Sequence, residues 1–414
     1  KSSKNMWEKT LSPKTWVEIN ASALRHNLSV FQKLVGPQTA VMAVVKANAY
    51  GHGLPEIVSI LASSFQLPAS SLWFGVDSID EALLIRDLNV KNKILVLGYI
   101  PPKRLQEVIA NDISFSVYSK ELLETIAKNR WVRLAARQAR LDSARQARLD
   151  SARQAKKPQM HIKIETGTNR LGMRFEELAN VAPLLKKHAD WIEGIYTHFA
   201  DTENPQSFFW KEQRARFKEA IALLEKIGVQ PMRHAASSAA ALLYPEARYD
   251  MARVGIGLYG LSPSVHMRPS GSRALKPVLT WRTKIAQIKK VQKGETVGYD
   301  RAFKALCDMT IAILPVGYWD GYDRRFSNNG EVLVEGTRAR VAGRVCMNMT
   351  MIDITDVKNA REGDEVVLLG KQKKEEITAE ESAEKIGTIN YEVVARINPF
   401  IPRRVIHEEK KEKI

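Results

Sequence analysis

The sequence predicts an α/β chain: a TIM-like (β/α)8 barrel followed by a C-terminal, mostly-β domain. Three observations predict it. Between residues 40 and 260 eight short, β-branched apolar segments alternate with helical stretches, the pattern of a parallel sheet covered on both faces. After Pro263 the pattern changes to short strands separated by Gly, Asp and Asn. A lysine, Lys46, stands at the end of the first apolar segment, inside the run Val44-Val45-Lys46-Ala47-Asn48-Ala49-Tyr50-Gly51-His52-Gly53.

The eight barrel strands are expected at Ala40–Lys46, Leu72–Val76, Ile94–Tyr99, Ile113–Tyr118, His161–Glu165, Gly194–His198, Met232–Ala236 and Arg253–Leu258. Helices are expected between most of them, at Glu56–Ser63, Ile79–Leu88, Ser119–Lys128, Glu176–Lys187 and Trp210–Ile227. A further helix, Ala21–Leu34, precedes the first barrel strand, with Asn20 as its N-cap. The barrel then covers residues 15–262, with a basic insertion at about 133–157, and the β domain covers 263–407. In the β domain, Leu279–Val291, Met309–Val316, Glu331–Val334, Arg338–Val345, Thr350–Ile354 and Glu365–Leu369 read as strands. One helix, Thr378–Ile386, interrupts them, with Thr378 and Glu381 at capping-box spacing. The early strand Thr15–Ile19 is a candidate to return and join this domain.

The insertion is an internal repeat. Ala136–Ser143 reads ARQARLDS, Ala144–Ser151 repeats it, and Ala152–Ala155 begins a third copy. At an eight-residue period each copy rotates a helix by about 80°, so Leu134, Leu141 and Leu149 make no steady seam and a coiled coil is not expected. A solvated extension of the helix begun at Ser119 is the plain reading; a basic partner-binding arm or an irregular loop are the alternatives.

The chain has 414 residues and a formal net charge of +17. Eight basic residues against two acidic ones between Arg133 and Lys157 supply part of that charge. No basic stripe interleaved with aromatics accompanies it, so nucleic-acid binding is not expected. No apolar run is long enough to span a membrane, and Lys1–Lys14 lacks the apolar core of a secretory signal; the cytoplasm is the expected compartment. Two cysteines, Cys307 and Cys346, give neither a disulfide framework nor a metal site, and the eight histidines show no HExxH spacing. No metal is expected.

A lysine at the mouth of a buried strand can be desolvated into a Schiff-base nucleophile, although a surface lysine capping a strand has the same spelling. Other polar residues cluster at the expected strand ends: Lys163, Glu165, Thr166, Gly167 and Arg170 after the fifth, His198 closing the sixth, His234, Ser237 and Ser238 after the seventh, and Arg253, Gly255 and Gly257 at the eighth. Their shared placement points to a site.

The lysine run resembles the pyridoxal-phosphate (PLP) motif of alanine racemases, which are fold-type III PLP enzymes. The resemblance extends from about Thr15 to Pro402 through Lys163-Ile-Glu-Thr-Gly-Thr-Asn-Arg170-Leu-Gly, Thr197-His-Phe-Ala, His234-Ala-Ala-Ser-Ser238-Ala and Arg253-Val-Gly-Ile-Gly-Leu-Tyr259-Gly. In the second domain it continues through Val297-Gly-Tyr299, Pro315-Val-Gly-Tyr-Trp-Asp-Gly321-Tyr-Asp-Arg-Arg, Gly343-Arg-Val-Cys-Met347 and Asn390-Tyr391-Glu. It implies a PLP-binding barrel, a β domain and a head-to-tail homodimer that interconverts L- and D-alanine and supplies D-alanine to bacterial peptidoglycan.

By the same resemblance Lys46 carries PLP and acts as one base, while Tyr299, lent by the partner subunit, is the other. His198 beside Arg253 serves that tyrosine, and Arg253 also meets the pyridine nitrogen. Tyr50, Ser238, Gly255, Ile256 and Tyr391 complete a neutral phosphate cup. Arg170 and the backbone of Met347 meet the substrate carboxylate. Lys163 matches a lysine often carbamylated in the family, and its presence favours alanine over a broad substrate range.

Three positions depart from the family pattern: Asn348 for aspartate, Ser237 for asparagine, and Asp300 for glycine beside Arg301 at the substrate entrance. Asp300 bears on substrate range and rate. The rival readings are a broad-specificity racemase, a basic-amino-acid decarboxylase, a PLP-homeostasis barrel, which would lack the β domain, and a binding module built on the basic repeat.

Overall fold

The computed structural model describes residues 13–63, 71–128, 157–264 and 274–407. The repeat of residues 136–155 lies outside the described residues. Eight parallel strands form one sheet: Ala40–Val44, Leu72–Val76, Ile94–Val96, Ser114–Val117, Met160–Lys163, Ile192–Tyr196, Met232–His234 and Met251–Val254. The first pairs with both the second and the last. The seventh and eighth share no ladder; the chain bridges them with Asp250 N–H to Arg233 O and Arg253 N–H to Ala236 O, each 3.0 Å. The barrel is therefore nearly closed.

Every barrel strand is where the sequence places it, but most stop one to three residues early, and these ends carry the chemistry. Lys46 does not close the first strand, which ends at Val44. His198 does not close the sixth, which ends at Tyr196. The eighth was expected over Arg253–Leu258, yet it begins at Met251 and holds Arg253 in its interior. There the backbone breaks at Gly255 and Ile256–Tyr259 tightens into a 3₁₀ turn. Extra β-branched residues at a strand end read as strand from sequence, but past the ladder only single backbone bonds remain, such as Val45 N–H to Gly75 O at 2.8 Å.

The helices follow simple causes. In Ala21–Val35, Asn20 Oδ1 accepts from Ala23 N–H at 2.9 Å, and Leu24, Leu28 and Phe31 recur on the buried face. Burial of each such side chain contributes roughly 1.5–3 kcal/mol. Ser78 and Glu81 form a reciprocal capping box at the head of Ile79–Asp87. Among the described residues, three six-residue helices have no counterpart in the sequence pattern: Leu105–Ala110, Ser238–Leu243 and Asn390–Ala395. Each is too short to show a period.

The β domain holds a seven-stranded sheet in which Thr15–Asn20 sits antiparallel to Leu279–Lys284 and parallel to Arg403–Ile406. The early strand does return. The stretch 279–291 is two strands rather than one, since Gln287–Val291 leaves for a separate three-stranded sheet. The strand expected over 338–345 ends at Arg340, before Gly343 turns the chain at φ 87°. Thr378 caps its helix through Glu381 N–H at 3.0 Å, but the Glu381 carboxylate is taken by Arg338 at 2.6 Å, so only half of the expected box forms. Two tiny strands, Thr296–Val297 and Phe303–Lys304, make a hairpin with Tyr299 in its loop.

Candidate active site

A cavity of about 1190 Å³ opens at the carboxyl ends of the barrel strands. Ten of the expected site residues line it: Lys46, Tyr50, Lys163, Arg170, His198, Ser238, Arg253, Gly255, Ile256 and Tyr391. Tyr299 and Met347 do not; both are more than half exposed on the β domain of the same chain. Asn348 is likewise exposed.

Lys46 opens an unusual segment. Ala47, Asn48, Ala49 and Tyr50 all have φ near +53°, and the first three have ψ near +50°, a left-handed turn made without glycine. Such a turn costs roughly 1–2 kcal/mol per residue and persists only where its surroundings over-determine it. Here Ala47 N–H donates to Glu81 Oε1 at 2.7 Å and Leu54 N–H to Asn48 Oδ1 at 2.8 Å. The Tyr50 ring packs on Tyr259 and Tyr391, with centroids 5.1 and 6.1 Å away. The reversal of hand brings Lys46 and Tyr50 to the same cavity. The Lys46 ammonium is 4.0 Å from Asp77, a half-exposed pair of small energetic weight.

Arg253 is the hub. Its Nη2 donates to Thr197 O at 2.7 Å, Ala235 O at 3.0 Å and His198 Nδ1 at 3.2 Å, while Nη1 donates to His234 Nδ1 at 2.9 Å. A guanidinium only donates, so both histidines accept at Nδ1 and carry their proton on Nε2. Burial, with the charge of Arg253 beside them, holds both imidazoles well below the usual histidine range and therefore neutral. Burial also lowers Arg253 to about 10, which leaves it charged at neutral pH.

Lys163, the last residue of its strand, is 6% exposed and has its Nζ 5.5 Å over the ring of Tyr196. Burial, then the charges of Arg170 and Arg253, bring its ammonium down to about 8. Glu165 serves the loop rather than the chemistry: its carboxylate accepts from Gly167 N–H, Thr168 Oγ1 and Arg170 N–H at 2.5, 3.2 and 3.2 Å. That wrapping sets the backbone of Arg170.

At the other side of the cavity, Ser238 Oγ accepts from Gly255 N–H at 3.0 Å and Gly257 N–H at 3.3 Å. Both lone pairs are used, so the hydroxyl hydrogen is left to donate. Ser237 caps the helix Ser238–Leu243 through Ala240 N–H, a role serine fills as well as asparagine. A Cβ on Gly255 would stand 2.5 Å from Tyr50 Oη; only glycine leaves the phenol its place. Burial pushes Tyr50 up to about 12 and Tyr391 higher still, so both phenols stay protonated donors.

Sequence reasoning missed three contributors. Tyr196 stacks on His234 (centroids 4.8 Å, planes 7° apart) and bonds Ser116 Oγ at 2.7 Å. Glu81 ties Ala47 to the head of the helix Ile79–Asp87, and its Ser78-Ile-Asp-Glu81 capping spacing was the available signal. Glu193, at the start of its strand, reaches His161 in the barrel interior; no local spacing announces it. Asp300 stands at φ 61°, which accounts for glycine being usual there, and its carboxylate is 3.4 Å from Arg344.

Comparison with known proteins agrees with this geometry. The family model described as "Alanine racemase, N-terminal domain" matches residues 19–263, and "Alanine racemase, C-terminal domain" matches 278–405. The chain is 37% identical over 401 residues to an alanine racemase of Leptospira interrogans, covering 95% of this chain and 96% of that one. It is 38% identical over 389 residues to that of Carboxydothermus hydrogenoformans, covering 94% and 98%. Among solved structures, alanine racemase of Clostridium difficile superposes with a TM-score of 0.82 at 31% identity, covering 96% and 97%. That of Bacillus anthracis with bound L-Ala-P gives 0.83 at 33%, covering 96% of each chain. With both halves of the chain matched and the cavity built at the strand ends, the chain belongs to the alanine racemase family of isomerases.

Proposed function

We propose that this alanine racemase uses PLP and two opposed bases, Lys46 of one subunit and Tyr299 of its partner, and that it supplies D-alanine for peptidoglycan from the cytoplasm. The observation that carries the reading is the split of the expected residues: ten converge on one cavity while Tyr299 and Met347 stand exposed.

The donor set fits PLP. Lys46 offers the amine. Ser238, Tyr50, Tyr391 and the turn at Gly255–Ile256 offer neutral donors to a phosphate, the last from the N-terminal end of a 3₁₀ helix. Arg253, tied down and protonated, would offer the ring nitrogen a hydrogen bond without giving up its proton. When bound, the cofactor supplies an electron sink that acidifies the alanine Cα–H.

The chain's own residues do the rest. Lys46 Nζ takes or returns the Cα proton on one face, and the partner's Tyr299 does so on the other. One base alone would tend to return the proton to the face it left. His198, neutral and protonated at Nε2, has that hydrogen to give to the tyrosine oxygen, which eases ionisation of a group whose free pKa is about 10. Arg170 pairs with the substrate carboxylate in a fork, with the Met347 N–H of the partner beside it. Carbamylated Lys163 would place an anion next to Arg170; its amine adds to CO2, a C–N bond forms and a proton leaves.

A homodimer is supported by large apolar residues left exposed on the β domain, among them Tyr299, Leu306, Trp319, Met347 and Phe400. Trp319 (61% exposed) donates its backbone N–H to Met347 O at 3.0 Å, and Asn398 joins Trp319 O to Phe400 N. Monomers rarely leave such a patch open. We keep the division at residues 15–262 and 263–407, with the first strand lodged in the second domain's sheet.

A coupled D-alanine assay over a panel of L-amino acids tests the reading. It requires bound PLP and racemisation strongest with alanine; a protein that takes up no PLP and exchanges no alanine Cα–H with solvent deuterium sinks it.

A further inference from the structure

Below Arg253 a second set of polar groups runs through the barrel to its amino-terminal end, from two buried histidines to a partly buried carboxylate. His234 Nε2 lies 2.8 Å from His161 Nδ1, and His161 Nε2 lies 3.3 Å from Glu193 Oε2. Glu193 also accepts from Lys93 Nζ at 2.6 Å and Ser114 Oγ at 2.5 Å. His161 and His234 are fully buried.

Donor logic fixes the direction of every bond. Arg253 can only donate, so His234 accepts at Nδ1 and, being neutral, donates from Nε2. His161 then accepts at Nδ1 and donates from Nε2, and a carboxylate that only accepts ends the line. Burial alone would raise Glu193, but hydrogen bonds from His161, Lys93 and Ser114 outweigh it and hold it at about 2. Burial keeps His161 below the usual histidine range, although Glu193 pulls it upward. Two neutral imidazoles thus lie between a buried cation and a partly buried anion, each with its dipole aligned.

The backbone makes room for this line. A Cβ on Gly194 would stand 2.2 Å from His161 Nδ1, so any other residue there would displace the ring from its bond to His234. Tyr196 lies flat on His234, and Trp73 meets His161 edge-on at 5.6 Å. Both imidazoles are thus packed against an aromatic ring.

We propose that Glu193, at the far end of the barrel from Lys46, is a positioning residue: through His161 and His234 it dictates which edge of His234 meets Arg253, and so holds the guanidinium for the cofactor. This rests on the PLP reading only in its last clause. The alternative is that Glu193 merely pairs with Lys93 to stabilise the amino-terminal face, where TIM-barrel residues ordinarily serve stability.

Imidazole-nitrogen NMR of the full-length protein carrying labelled histidine separates the two. The relay requires His161 and His234 to be neutral and protonated at Nε2 from about pH 5 to pH 8, a range in which a free histidine titrates. Glu193→Asp keeps the charge beside Lys93 but retracts the acceptor from His161; the relay predicts mixed tautomers at both rings and a kcat about tenfold lower, the usual scale of a supporting-residue loss. Lys93→Met removes the ion pair and leaves the acceptor; the relay predicts unchanged imidazole signals.

The reverse pattern, Glu193→Asp silent and Lys93→Met disturbing, overturns the proposal, as does a wild-type His234 protonated at Nδ1. If Glu193→Asp does not fold, the wild-type tautomers and Lys93→Met still decide. A wild-type protein that binds no PLP would sink the proposed function while leaving the tautomer result standing.

Discussion

The carbonyl oxygen of Val394 lies 1.9 Å from the point where a Cβ on Gly51 would stand. Through that contact the β domain's helix Asn390–Ala395 seats itself on the loop that carries Lys46. Gly51 also has φ 81°, so a side chain there is strained as well as blocked. Gly51→Ala should lose roughly 2–4 kcal/mol of stability, read as a drop in the chemical-denaturation midpoint. An unchanged midpoint would mean that this seat is not tight.

Lys46→Ala should abolish the visible band of protein-bound PLP and all solvent-deuterium uptake at alanine Cα, while far-ultraviolet circular dichroism stays that of wild type. Lys46 is partly exposed and its 4.0 Å contact with Asp77 is weak, so the substitution has no structural reason to unfold the chain. A residual band with full intensity would assign the Schiff base to another amine.

Tyr299→Phe and Lys46→Ala should each be inactive as pure proteins, yet regain activity when mixed under conditions that exchange subunits. A hybrid dimer carries one intact site, and random assembly restores about a quarter of the wild-type sites. No recovery would remove the tyrosine from the partner's site.

Lys163 gives a pH signature. Its folded pKa is about 8, below the unfolded value of about 10.4. Between those values the unfolded chain binds more protons than the folded one, so stability rises with pH across that window. Below about pH 8 the cost of the buried charge is fully present. Lys163→Met should remove the slope and stabilise the protein at neutral pH in CO2-free buffer. In labelled bicarbonate, wild type should give a carbamate carbon signal that the variant lacks.

Much of this was legible from the chain. Strand placement could be read because buried parallel strands spell long β-branched runs, and the sites follow because barrel chemistry sits where those runs end. Strand termini could not be read, since Val45, Thr197 and Gly255 to Leu258 are as apolar or β-branched as the residues before them. The left-handed turn at Ala47–Tyr50 has no spelling of its own: two alanines there argue for ordinary helix, and tertiary anchors such as Glu81 override them. Glu193 and Tyr196 were invisible for a different reason. A strand residue's partners lie across the barrel, on strands tens of residues away, and no local period records them.

The strand Thr15–Asn20 is held between Leu279–Lys284 and Arg403–Ile406, so segments that flank the whole barrel in sequence are knitted into one sheet. During synthesis this strand has no sheet partner until Leu279–Lys284 is made, and its other edge stays open until Arg403–Ile406 follows. Loop-closure entropy of both spans is met late, which makes Arg403–Ile406 a latch: synthesis halted before Arg403 would leave one edge of Thr15–Asn20 unpaired and open to other strands.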